Sequence, residues 1–99
     1  MTFSFVILDR VISQVVSAIN WYENEGVDIA DRFWDEFNRT SRLIHQYPYA
    51  FRYRYNRVRI APVSGFPYII CYEIIGDEIV VFKLIHVNED ERKRKSTSK

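Results

Sequence analysis

The 99-residue sequence holds a single cysteine, Cys71, so no intrachain disulfide can form and nothing in it calls for an oxidising compartment. It has no apolar run of 18 or more residues, and its first residues lack the basic, apolar and small-residue order of a signal peptide. The expectation is a soluble cytoplasmic protein without a membrane partner. A Gly-rich phosphate loop, paired-cysteine zinc spacing and a His-Glu-x-x-His helix are all missing, and the two histidines, His45 and His86, stand far apart in the chain. No metal site and no cofactor is expected. Glycine and proline number three each, with no interior linker and no repeat among them. At 47% hydrophobic and 16% aromatic content, the chain suffices for one compact domain with a small core and is too short for two. That domain is placed at residues 1–88. Residues 89–99 hold no apolar side chain and read as a charged, disordered tail.

The formal net charge of +1 conceals a segregation. Residues 1–36 carry seven acids and two bases, whereas residues 37–72 carry six arginines and no acid. Arg39, Arg42, Arg52, Arg54, Arg57 and Arg59 make up that set. An acid-free basic stretch fits an anionic partner, either nucleic acid or an acidic protein segment. The alternative is that these arginines are solvated or pair weakly with the acidic first third.

The stretch 66–87, FPYIICYEIIGDEIVVFKLIHV, reads as two strands around a Gly76-Asp77 turn and as the centre of a sheet. With a two-residue turn, Ile75 opposes Glu78, Tyr72 opposes Val81 and Ile70 opposes Lys83. Tyr68, Ile70, Tyr72 and Ile74 then share a face with Ile79, Val81 and Ile85. Ile69, Cys71, Glu73, Val80, Phe82, Leu84 and His86 take the other. Both faces are largely apolar, so helices are expected to cover one and loops or a partner part of the other.

Upstream, FSFVIL at 3–8 reads as a strand, and Asp9 as the N-cap of a helix whose stripe is Val11, Ile12, Val15, Val16, Ile19 and Tyr22, ending at Gly26. Trp21 lies off that stripe and is either presented at the surface or packed under the interhelical turn. Asp28 and Asp31 are placed to cap a second helix with an apolar face of Ile29, Ala30, Phe33, Trp34, Phe37, Ile44 and Tyr47, ending before Pro48. Phe51, Tyr53 and Tyr55 alternate with Arg52 and Arg54, and beyond Asn56 the alternation resumes with Arg57, Val58, Arg59 and Ile60, as in a strand broken at Asn56. Arg52, Arg54, Arg57 and Arg59 would stand as a band on one face. The expected fold is α+β, ordered β-α-α-β-β-β: a mostly antiparallel sheet of about four strands with a helical hairpin on one face.

Cys71, mid-strand among apolar residues, reads as a small hydrophobe. His86 at a strand end is either a packed side chain or a group for proton transfer near neutrality. For RNA cleavage through the 2′-hydroxyl, Arg57, Arg59 and His86 are the residue types that could hold the phosphate and move protons.

Taken in order, WYE at Trp21–Glu23, RF at Arg32–Phe33, YP at Tyr47–Pro48, VR at Val58–Arg59, FPYIICYEI at Phe66–Ile74 and GDEIVVFKLIH at Gly76–His86 resemble the RelE/ParE toxin superfamily, closest to its ParE-like, plasmid-stabilisation branch. The resemblance spans roughly residues 3–88 and implies the toxin of a type II toxin-antitoxin pair, neutralised by a cognate antitoxin that wraps its helices and sheet. ParE-like members inhibit DNA gyrase without being nucleases; RelE-like members cut mRNA in the ribosome. The chain departs from the RelE-like pattern. Ile69 stands where a basic residue is expected, Asn88, Glu89, Asp90 and Glu91 replace a basic cluster, and no tyrosine follows Tyr72. The resemblance therefore implies a toxin that acts by binding. The alternatives are a ribosome-dependent endoribonuclease using His86, Arg59 and Arg57, or a non-toxic member that only binds its antitoxin. Arg52, Arg54, Arg57, Arg59 and Trp21 are the candidate binding residues, and the protein is an enzyme only on the endoribonuclease reading.

Overall fold

The computed structural model describes residues 2–87; the tail at 89–99 and the departures at Asn88 to Glu91 lie outside them. The elements are β1 (Ser4–Ile7), α1 (Asp9–Glu25), α2 (Val27–Gln46), β2 (Tyr53–Tyr55), β3 (Val58–Pro62), β4 (Tyr68–Ile75) and β5 (Glu78–His86). One sheet takes all five strands in the order β1-β5-β4-β3-β2. β1 runs parallel to β5, and every other pair is antiparallel. The α+β class is as expected, with one strand more. The arginine-rich stretch doubles back at Asn56, whose φ of 44° lies in the left-handed region that asparagine tolerates, so β2 and β3 form a hairpin in place of one long strand.

The N-caps of both helices differ from expectation, while α1 ends at Gly26 as expected. Leu8 occupies the N-cap of α1 without a side-chain bond, and Asp9 sits in the first turn, where it favours the positive end of the helix dipole. Gly26 alone separates the helices: its N–H closes α1 on the Tyr22 carbonyl at 2.9 Å, and its carbonyl accepts from Ala30 at 3.2 Å to open α2. Asp28 falls in the first turn of α2, not at its cap. A chain reversal through one residue leaves no room for a separate capping side chain.

The core lies between the helices and one sheet face. Val11, Val15, Ala18 and Tyr22 of α1 and Ala30, Phe33, Phe37 and Ile44 of α2 pack on Ile70, Tyr72, Ile79 and Val81. The apolar stripes are wider than this contact. Ile12, Val16 and Trp34 stay about half exposed (50, 49 and 47%), and Tyr47 is exposed too.

The β4-β5 register holds as expected from Ile75-Glu78 to Tyr72-Val81 and then shifts, so that Cys71 opposes Lys83 and Ile70 opposes Leu84. Phe82 is the extra residue of a β-bulge, and one inserted residue exchanges the faces of everything beyond it. Leu84 is thereby buried in the helix-facing core, whereas Ile85 joins Ile69, Phe82 and the buried Val58, Ile60 and Cys71 on the far face. The opposite assignment of Leu84, Ile85 and His86 expected from an unbroken hairpin is corrected by that single residue. The Leu84 N–H is accepted by Gln14 Oε1 at 2.9 Å, which ties the shifted strand to α1.

Candidate functional site

Arg59 is the most constrained of the arginines. It lies on β3 opposite Tyr72, and its Nη1 donates to the Phe51 carbonyl at 2.6 Å and the Tyr49 carbonyl at 3.2 Å, while Nη2 donates to Tyr53 Oη at 2.9 Å. Its guanidinium carbon lies 4.0 Å from the Tyr53 ring centroid and 5.4 Å from that of Tyr49. Beneath it, the buried Tyr72 hydroxyl donates to the Pro48 carbonyl at 2.7 Å. Burial pushes the Tyr72 pKa up to about 12, against the opposing influence of the Arg59 charge. Arg59 and Tyr72 thus hold the segment between α2 and β2 against the sheet.

The other three arginines stand differently. Arg57 is exposed in the β2-β3 turn, Arg52 is exposed ahead of β2, and Arg54 is half-buried with its guanidinium 5.8 Å from the Tyr55 ring. The expected single band of four arginines is therefore divided: the turn at Asn56 interrupts the alternation, and Arg59 points into the loop that it clamps.

His86 reaches the helix side through the bulge and packs edge-on against Tyr68 at 5.0 Å. With Trp21, Ser13, Gln14 and Ser17 it lines an open cleft of about 420 Å³. Trp21 is 59% exposed there, its ring edge against Tyr22. Since His86 pairs with Tyr68 and Arg59 with Tyr72, the two lie four residues and two strand spacings apart, roughly 16 Å between backbones. Arg57, Arg59 and His86 are not brought together around one point. Among the described residues, no group of three or more His, Cys, Asp or Glu is placed to hold a metal, and no helix is long and apolar enough to cross a membrane.

A concavity larger than the His86 cleft was not among the candidate sites. An apolar groove of about 540 Å³ runs between the helices beside β1, lined by Ile7, Ile12, Val16, Ile19, Trp34 and Phe37 among others. Farther along α2, Arg39, Arg42, His45 and Gln46 line a basic hollow of about 400 Å³. There His45 Nε2 bonds the Phe3 carbonyl at 2.8 Å, and its ring stacks on Phe5. The signal for the groove was in the sequence: α1 carries doubled apolar positions, Val11-Ile12 and Val15-Val16, a stripe too wide for one neighbouring surface.

The family model described as "ParE toxin of type II toxin-antitoxin system, parDE" matches residues 6–91. No curated protein matches the sequence significantly. Among solved structures, one described as "Chromosomal ParDE TA system from P. aeruginosa" is similar with a TM-score of 0.77, covering 87% of this chain and 97% of that one at 13% identity. Likeness at that identity speaks for the fold.

Proposed function

This chain belongs to the ParE toxin family of type II toxin-antitoxin systems, and from that premise we propose that it arrests growth in the cytoplasm by binding its target, DNA gyrase, and is neutralised by a cognate antitoxin seated in the groove between α1 and α2. The observation that carries the antitoxin half is the groove itself. Ile12, Val16 and Trp34 leave a contiguous apolar surface in water, and such a surface on a small domain marks a partner site. An amphipathic helix laid along it would bury all three, with acidic residues beyond its apolar face placed to meet Arg39 and Arg42. Action by binding is supported by the separation of His86 from Arg59 and by the commitment of Arg59 to the Tyr49 and Phe51 carbonyls, which leaves it poorly placed to hold a scissile phosphate.

Co-expression with the product of the adjacent reading frame tests the partner. The two should co-purify, and Trp34→Asp should release the toxin without unfolding it; a free toxin that ignores the neighbour overturns the assignment. On induction alone, DNA breaks should rise while a reporter transcript stays whole. Codon-periodic cuts in primer extension would replace gyrase inhibition with ribosome-dependent cleavage.

A further inference from the structure

At the sheet edge opposite β1 lies a second exposed surface of different chemistry. Tyr47, Tyr49, Tyr53 and Tyr55 are exposed by 59, 63, 56 and 53%. Arg52 and Arg57 stand exposed among them. β2 is the edge strand, so the outer side of its backbone is unpaired among the described residues.

The side chains of Arg52, Arg57 and Arg59 meet no acid among the described residues. Arg59 is half-buried, yet its partners are two carbonyl oxygens, a phenol oxygen and two rings, and residues 37–72 contain no acid that could serve as counterion. Together these like charges favour an anionic partner, met by the exposed Arg52 and Arg57 while Arg59 stays bonded to its loop. The rings discriminate between anions. Arg59 lies over Tyr49 and Tyr53, and Arg54 over Tyr55, so guanidinium groups already occupy ring faces on which nucleobases would stack. What remains outward is a row of hydroxyls, exposed arginine donors and an open strand edge, which matches carboxylates and main-chain amides. Tyrosine and arginine are also the residue types that dominate the energetics of protein interfaces.

We propose that the β2 edge, centred on Arg52, Tyr53, Tyr55 and Arg57, docks an extended acidic segment of the protein on which this toxin acts, at a surface separate from the antitoxin groove. The inference rests on the toxin reading above and names the side of the molecule that meets the target. Arg52 and Arg57 suit the test because their side chains make no hydrogen bond or ion pair among the described residues.

The Arg52→Glu, Arg57→Glu double variant should melt like the parent, still co-purify with the antitoxin and lose growth arrest. In anisotropy measurements the purified parent should bind a labelled peptide of alternating glutamate and valine in preference to one of lysine and valine, and the double variant should bind the acidic peptide at least about tenfold more weakly. Undiminished growth arrest by the folded variant overturns the proposal, as does a parent without preference for the acidic peptide. So does tighter binding of oligo(dT) than of that peptide, which would make the surface a nucleic-acid site. If the parent itself fails to arrest growth, the toxin reading falls, and the peptide measurement still decides what this edge recognises.

Discussion

Two arginines one position apart in the alternating pattern, Arg57 and Arg59, separate scaffold from surface. Arg59→Ala removes three hydrogen bonds from a charged donor and uncouples the Tyr49 to Tyr53 segment, at an expected cost of about 2 kcal/mol in urea unfolding. Arg57→Ala, in an exposed turn, should change stability by no more than about 0.5 kcal/mol. Alternation in the sequence placed both on a strand, but the loop that would close over one of them is a tertiary fact with no local signature. Tyr72 gives a pH signature. Its pKa, raised from 10.0 to about 12 in the fold, means that the folded state holds the proton more tightly than the unfolded chain. The stabilisation is complete below pH 10 and is lost as pH rises through 12. Tyr72→Phe should flatten that alkaline limb in pH-dependent melts, and at neutral pH should cost about 1 kcal/mol for the lost bond to Pro48.

At the scale of elements, both helices, the Gly76-Asp77 turn and the helix end before Pro48 were legible because each carries its own local chemistry: apolar periodicity, a glycine at positive φ, a residue that cannot continue a helix. The bulge at Phe82 was not. It involves neither glycine nor proline, and an apolar strand reads the same in either parity, so the faces of Leu84, Ile85 and His86 were decided by packing against α1. The division of the arginine strand was half legible, since Asn56 marked the break without its hairpin. Gly26 offers the sharpest test of an element boundary. At φ 155° and ψ 141°, a backbone region that side chains disfavour, with only Ile29 Cδ1 at 4.0 Å from an added Cβ, the cost of Gly26→Ala is conformational, not steric. Thermal and urea unfolding should register about 1–3 kcal/mol of destabilisation with no change in the circular dichroism of the folded state. A neutral outcome would mean that the helices can be joined by another backbone path.

For the whole molecule, the sequence yielded a layered domain but not where its unpartnered surfaces lie, because which part of a wide apolar stripe is left over depends on how the helices cross the sheet. The apolar groove beside β1 should make the free protein self-associate, detected in sedimentation velocity as a rise in mean mass with concentration and suppressed by Ile12→Asp with Val16→Asp. A protein that stays monomeric at high concentration would show the groove to be closed in solution. The parallel pairing of β1 with β5 bears on biosynthesis. Ser4 lies opposite Glu78, so the first strand made must wait unpaired for the last, and the sheet closes only across nearly the whole described chain. While β5 is still unsynthesised, the nascent polypeptide lacks the strand that joins β1 to β4, and with it the Ile79, Val81 and Leu84 part of the surface on which the helices pack. The competent fold is therefore reached late in translation, an interval in which antitoxin already present in the cell can be waiting when the toxin first takes shape.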